Sequence, residues 1–89
     1  MIIVTYDITD NKLRTHLSKF LEKYGVRVQF SVYEIQNSKR VLDIVINGIE
    51  RKFKGRFESG DSIYIFKANH DDTIRYGSAG LIDNDLIFI

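Results

Sequence analysis

The sequence contains no cysteine, which excludes disulfide bonds and metal sites built from thiolates. No stretch approaches the roughly 18 consecutive apolar residues of a membrane-spanning helix, and the apolar start of the chain reaches Asp7 too early for a secretory signal peptide. A glycine-rich loop for phosphates is absent, as is the aromatic strand signature of single-stranded RNA readers. We therefore expect a cytoplasmic protein with no membrane partner.

The charge of the chain is nearly balanced, at +1 for 89 residues. A chain of this length forms one domain and buries only roughly 60–65% of its unfolded surface, so a second copy would add stability. The positive residues concentrate in the predicted helices and their flanks, at Lys12, Arg14, Lys19, Lys23, Arg27, Lys39, Arg40, Arg51, Lys52, Lys54 and Arg56. Such a pattern is typical of a solvated helix surface, but also of a moderately basic face that contacts phosphates.

The first part of the chain predicts a strand followed by a helix. In the strand, residues 2–8, the even-numbered side chains share one face, while Ile3, Thr5 and Asp7 share the other. Apolar residues on both faces favour a central position in a sheet. Asp10 is a suitable N-cap for a helix over residues 11–24, and Gly25 stands where a left-handed C-cap residue belongs.

The remaining pattern predicts an extended segment, a second helix, a further strand and a tail. Residues 26–36 are extended, as one long strand or as two strands broken near residues 29–31, and residues 39–57 follow the helical period after Ser38. Residues 62–68 form another strand, and residues 74–76 form a short one. The apolar end, Leu86, Ile87, Phe88 and Ile89, is expected to pair as a strand at a sheet edge, in its own subunit or in a partner.

This order predicts an α+β sandwich with a βαββαβ plan, in which both helices cover one face of an antiparallel sheet. We expect one domain over residues 1–89, with a core at 1–68 and a tail at 69–89. The uncovered face carries Ile3 and Thr5, which favours contact with a second subunit. This architecture hosts RNA readers, metabolite sensors and enzymes alike, so function has to come from particular residues.

Asp7 is the first candidate for chemistry, because it stands at the carboxyl end of the first strand. A carboxylate there could hold Mg²⁺, with water and phosphate completing the coordination. The alternative is that Asp7 only stabilises the turn into the helix. His16 and the loop trio His70, Asp71 and Asp72 are weaker candidates, which we expect to be solvated.

One group of residues resembles the signature of the CRISPR-associated Cas2 family. It comprises Tyr6-Asp7-Ile8-x-Asp10, Arg14 and Tyr24-Gly25-x-Arg27-Val28-Gln29-Phe30-Ser31-Val32-Tyr33-Glu34. The resemblance covers about the first 36 residues closely and fades in the tail. It implies a ferredoxin-like homodimer whose subunits meet through their sheet faces, with a C-terminal strand that crosses to the partner.

The resemblance also implies roles for individual residues. Asp7 would be the catalytic and metal-linked residue, its two copies facing each other across the dimer and holding Mg²⁺ or Mn²⁺, with Asp10 as a cap or outer support. Arg14, with Lys12 and Arg27, would contact nucleic acid. The implied functions are a scaffold that bridges integrase dimers and binds duplex DNA in spacer acquisition, and a magnesium-dependent nuclease on RNA or DNA. A ribonuclease toxin of the VapD type and a non-enzymatic RNA- or metabolite-binding module remain alternatives.

Overall fold

The computed structural model describes residues 1–77 of the chain. Four strands, β1 to β4, and two helices, α1 and α2, follow in the order β1 (Ile2–Asp7), α1 (Asn11–Glu22), β2 (Gly25–Gln29), β3 (Val32–Ile35), α2 (Lys39–Gly48) and β4 (Ser62–Lys67). Between α2 and β4 the chain forms a π-helical turn (Ile49–Phe53) and a 3-10 turn (Lys54–Arg56), and another 3-10 turn (His70–Asp72) follows β4.

The strands form one antiparallel sheet in the order β2-β3-β1-β4, with β1 between β3 and β4. The predicted α+β fold and the central position of β1 are therefore confirmed. Residues 26–36 form two strands separated at Phe30 and Ser31, which settles the alternative left open by the sequence. The βαββαβ order is that of a ferredoxin-like sandwich.

The hydrophobic core lies between the sheet and the helices. The even-numbered residues of β1 face the helices and are buried, as the alternation predicts. Apolar residues at helical spacing on α1 and α2 complete this core: Leu13, Leu17, Phe20, Leu21, Val41, Leu42 and Val45. The side of the sheet turned away from the helices, called the open face below, carries Ile3, Thr5 and Asp7 from β1.

The predicted end of the first helix is wrong. Helix α1 ends at Glu22, and Gly25 is the first residue of β2 rather than a left-handed cap. A Cβ atom on Gly25 would lie 2.1 Å from the carbonyl oxygen of Glu34. The glycine therefore permits a close approach of two strands, which no feature of the sequence near residue 25 reveals.

The second helix is also shorter than predicted, because regular α-helical geometry stops at Gly48 instead of continuing to residue 57. The wider π-helical turn that follows buries Phe53 at 4% exposure, with its ring 5.4 Å from that of Phe20. Gly48 itself abuts the Phe20 ring, since an added Cβ would lie 2.3 Å from its Cζ atom. The local change of helix type thus follows from packing against α1.

The tail departs from its prediction as well. Residues 74–76 form no strand; they run beside the open face, with Ile74 and Tyr76 exposed. The predicted strand at Leu86, Ile87, Phe88 and Ile89 lies outside the described residues. Within residues 1–77, no helix is both long and apolar enough to cross a membrane.

Candidate metal and nucleic-acid site

Asp7 ends β1 at the rim of the open face. Its backbone pairs with Ser62 of β4, and its side chain is exposed on the opposite side of the sheet from the buried Tyr6. Among residues 1–77, the Asp7 carboxylate forms neither a hydrogen bond nor an ion pair. Its oxygens are therefore available to a ligand from outside the subunit.

Two other aspartates, Asp10 and Asp61, stabilise the turn between β1 and α1, the role that was the alternative for Asp7. Asp10 caps α1 by accepting a hydrogen bond from the amide of Leu13 at 2.7 Å. Asp61 accepts from the amides of Thr9 at 2.9 Å and Glu58 at 2.8 Å, and these backbone bonds lower the pKa of the Asp61 carboxyl group. The interpretation of Asp7 as a turn-stabilising residue therefore lacks a supporting bond.

Within residues 1–77, one subunit offers a metal ion few protein ligands. In the part of the chain that the structure describes, no group of three or more histidine, cysteine or acidic residues is close enough together to hold a metal ion. The trio His70, Asp71 and Asp72 forms a 3-10 turn and is exposed. The single carboxylate of Asp7 does fit Mg²⁺ or Mn²⁺, because these ions bind through one or two carboxylates together with water and phosphate oxygens.

The open face combines half-buried and exposed apolar side chains. Ile3 pairs with Phe66 and Thr5 pairs with Tyr64 across the β1–β4 ladder. Phe66 is 50% exposed and Tyr64 61%, and their rings stack at 6.0 Å. A cluster of exposed aromatic and half-buried aliphatic side chains on one face is characteristic of a protein-contact surface. The predicted contact residues Ile3 and Thr5 lie within it, whereas the sequence prediction missed Tyr64 and Phe66, although their alternation in β4 was a usable signal.

A second feature that the sequence prediction missed is an ion pair on the open face. Glu34 of β3 is buried at 6% exposure, and its carboxylate accepts a hydrogen bond from Arg75 at 2.9 Å. This contact holds the segment after β4 against the edge of the open face. The signal in the sequence was the place of Glu34 between Tyr33 and Ile35 in an extended stretch.

Two of the predicted nucleic-acid residues come together on the helix side of the sheet. Arg14 and Arg27 line a cavity of about 300 Å³ together with Lys19, Ser18 and Phe30. Lys12 is exposed on α1 but does not line this cavity. We call this cavity the basic pocket; Glu22 lines it too and supplies one negative charge.

Hydrogen bonds fix both arginines of the basic pocket. Arg14 donates from Nη1 to the carbonyl oxygen of Ile8 at 2.8 Å and from Nη2 to the side chain of Asn11. Arg27 donates from Nη2 to Ser18 Oγ at 2.8 Å and from Nε to Tyr33 Oη at 3.3 Å. The hydrogen bond to Tyr33 raises the pKa of the Arg27 guanidinium, so Arg27 remains a fixed positive charge.

Hydroxyl groups form the floor of the basic pocket. Ser18 and Tyr6 line it, and the Ser18 hydroxyl is hydrogen-bonded to that of Tyr33. Burial raises the pKa of the Tyr6 phenol, which therefore stays protonated near neutral pH. The sequence prediction missed Ser18, since a serine within the apolar stripe of a helix is seldom distinguishable from a tolerated polar residue.

Comparison with known proteins identifies similar chains. The family model of CRISPR associated protein Cas2 matches residues 1–74. A CRISPR-associated endoribonuclease Cas2 of Synechocystis sp. is 44% identical over 59 residues, which cover 66% of this chain and 60% of that protein. The chain spans between 32% and 60% of the length of the curated relatives that it matches.

Two solved structures have a similar fold. A hypothetical protein from Thermus thermophilus is 29% identical with a TM-score of 0.73, over 90% of this chain and 93% of that one. A chain of a partial Cas6-RT-Cas1–Cas2 complex is 28% identical with a TM-score of 0.61, over 92% of this chain and 96% of that one.

Proposed function

The chain belongs to the CRISPR-associated Cas2 protein family, and we propose that it acts in CRISPR adaptation as a homodimeric scaffold that binds duplex DNA and an integrase. The observation that carries this proposal is the open face, where stacked Tyr64 and Phe66 remain exposed beside Ile3 and Thr5. Burial of apolar surface contributes roughly 25 cal/mol per Å², so a second open face is a favourable partner. The complex of Cas1 with a similar chain supports the integrase as a further partner.

The DNA contacts of the scaffold are assigned to Lys12, Arg14 and Arg27. Cationic side chains of this kind neutralise phosphates without reading bases, so binding should weaken steeply with salt and vary little with sequence. Lys12 gives the cleanest test, because it is exposed and forms no bond within residues 1–77, whereas Arg14 also supports the loop before α1. Lys12→Ala should reduce the salt dependence of duplex binding by about one phosphate contact.

The dimer is tested by placing charge on the open face. Phe66→Glu should shift sedimentation from dimer to monomer, because a carboxylate would be buried between two apolar faces. Ile46→Glu is the matched control, since Ile46 is 41% exposed on α2, on the other side of the sheet. A Phe66→Glu protein that remains dimeric and binds DNA as the wild type does would contradict the assembly proposed here.

A second candidate function is metal-dependent cleavage of a phosphodiester bond, favoured by the Asp7 carboxylate, which has no bonding partner within residues 1–77 and lies at the rim of the open face. Face-to-face pairing would bring two copies of Asp7 to one seam. When bound there, Mg²⁺ or Mn²⁺ supplies Lewis-acid chemistry, making water a stronger nucleophile and offsetting phosphate charge. Asp7 would hold the ion, while Arg14 and Arg27 would position the strand. The Synechocystis relative is named an endoribonuclease, which supports the assignment.

This second candidate is tested with Asp7→Asn, which preserves shape and removes the charge. We expect loss of magnesium-dependent cleavage of labelled RNA and duplex DNA, with the dimer and duplex affinity retained. Asp72→Asn is the matched control, because it removes an exposed acidic group from a surface turn. Equal cleavage by wild type and Asp7→Asn would assign the activity to a contaminant; no cleavage by either, with duplex binding intact, would leave the scaffold alone.

A further inference from the structure

We propose that Phe30, at the tip of the β2–β3 hairpin, and Arg27, within β2, form a subsite for an unpaired nucleotide, with the base stacked on Phe30 and the phosphate held in the basic pocket. The inference rests on the proposed function, since it specifies which form of nucleic acid this surface takes. It adds a base-stacking residue to contacts that would otherwise involve phosphates alone.

The exposure of Phe30 is the first observation. The side chain is 78% exposed at the turn between two strands, where a polar residue or glycine is the usual choice. A single solvent-exposed aromatic side chain is ordinary on a protein surface, but the Phe30 ring has a cationic neighbour. The Arg27 guanidinium lies 5.8 Å from its centroid and 5.7 Å from that of Tyr33.

The rigidity of the hairpin tip is the second observation. Arg27 is hydrogen-bonded to Ser18 and Tyr33, and the carbonyl oxygen of Ser31 accepts a bond from the amide of Tyr6 at 3.1 Å. The residues on either side of the turn are thus anchored to α1 and β1. A guanidinium fixed in this way, beside a ring carried on an anchored turn, loses little side-chain entropy when a ligand binds.

Charge and position are the third observation. Arg14 and Lys19 face the same pocket as Arg27, so among the described residues three cations against the carboxylate of Glu22 favour a phosphate. The pocket lies on the helix side of the sheet, and pairing of two open faces leaves it accessible. Its volume of about 300 Å³ is at the small end of ligand-binding cavities, which suits part of one nucleotide rather than a whole cofactor.

An exposed aromatic ring discriminates between the forms of nucleic acid. In a duplex the base faces are stacked on each other, so a protein meets phosphates and groove edges. Single strands present free base faces, and stacking on an aromatic side chain is worth about 1–3 kcal/mol per base. The combination of Phe30 with a cationic pocket therefore fits a single-stranded segment or the overhang of a duplex.

The chain itself provides the reporter, because it contains no tryptophan. Phe30→Trp places the single indole of the protein at the subsite, where stacking of a base should quench its fluorescence. The probes are oligothymidylate, oligouridylate, an abasic strand of the same length and charge, and a blunt duplex. Ile46→Trp on α2 is the matched control and should respond little to any of them.

We expect both base-containing strands to quench the fluorescence, and the abasic strand and the duplex to quench it hardly at all. Comparing oligothymidylate with oligouridylate shows whether the subsite prefers DNA or RNA. Phe30→Ala should weaken single-strand binding by roughly 5- to 150-fold, the range that corresponds to one stacked base, and should leave duplex affinity nearly unchanged. Because Phe30 is exposed, the variant should keep the wild-type circular dichroism.

The outcomes separate this inference from the function on which it rests. If Phe30→Ala weakens binding of the abasic and the base-containing strand equally, or if Phe30→Trp is quenched equally by both, the stacking subsite is refuted while nucleic-acid binding stands. If the wild type binds neither duplex nor single strand, the proposed function fails together with the subsite. Selective loss on base-containing strands, with duplex binding retained, supports both.

Discussion

Substitution of Gly25 by alanine tests how tightly β2 and β3 approach each other. The new Cβ atom would lie 2.1 Å from the Glu34 carbonyl oxygen and 2.6 Å from the Ile35 Cα atom, and both are backbone atoms. They cannot rotate away as a side chain would, because β3 is held between β2 and β1. The sheet must therefore open locally, or β2 must detach from its edge.

The expected magnitude follows from these distances. Extra methylenes in a packed interior cost about 1–3 kcal/mol when side chains can adjust, so a clash with fixed backbone belongs at or above about 3 kcal/mol. For a domain of this size, 1 kcal/mol shifts Tm by about 4–8 °C. We expect Tm to fall by roughly 12–24 °C, and the free energy of unfolding from urea titration to fall accordingly.

Two further variants make the test specific. Gly25→Asn should be at least as destabilising as Gly25→Ala, whereas a left-handed cap would tolerate asparagine. Gly55→Ala is the matched control, because an added Cβ there meets nothing within 4 Å, and it should change stability by less than about 1 kcal/mol. A Gly25→Ala protein as stable as Gly55→Ala, measured at the same protein concentration, would refute the close approach.

Two other substitutions test contacts that shape the ends of the elements. Asp61→Asn should lower Tm at pH 7, because the pKa of Asp61 is lowered in the folded state. The ionised carboxylate therefore stabilises the fold above the unfolded pKa of about 3.9, and this stabilisation is lost as pH falls through the folded pKa. Thermal melts from neutral to strongly acidic pH should therefore converge for wild type and variant, and a constant difference would contradict this role. Gly48→Ala should cost about 1–2 kcal/mol in urea titration, because the three atoms nearest to its Cβ all belong to the Phe20 side chain, which can adjust more readily than backbone. In the double variant, Phe20→Leu should recover part of the stability lost through Gly48→Ala. If the destabilisation of the double variant equals the sum of the two single variants, the two residues do not interact.

The parts of the fold that depend on neighbours in sequence could be predicted. Alternation in β1 gave the buried and open faces correctly, because side chains in a strand alternate whatever the rest of the protein does. Asp10 and Ser38 marked helix starts, because their side chains bond to amides three residues further on. Both patterns depend only on residues a few positions apart in the sequence.

The parts that failed depend on neighbours in space. Gly25 follows a helix and was assigned to the helix end, although the reason for glycine there is the Glu34 carbonyl group in the adjacent strand. The π-helical turn after Gly48 likewise depends on Phe53 reaching Phe20 on α1. Neither partner can be chosen from periodicity, because each lies on another element.

The same distinction between neighbours in sequence and neighbours in space applies to the candidate sites. Asp7 was identifiable from its place at the end of a strand, but the basic pocket joins Arg14 of α1 to Arg27 of β2 only through tertiary packing around Ser18. Both arginines belong to the residues that resemble the family, but nothing in the sequence gives a geometric reason for them to meet.

The position of β1 connects the two sites. Tyr6 and Asp7 are adjacent in sequence, yet Tyr6 points to the helix side and lines the basic pocket, while Asp7 points to the open face. A strand held at Phe30 therefore has to pass from one side of the sheet to the other to reach Asp7 of the same subunit. Binding and cleavage are consequently separable by substitution: Asp7→Asn should spare the stacking of a base on Phe30, and Phe30→Ala should spare any metal held between two copies of Asp7.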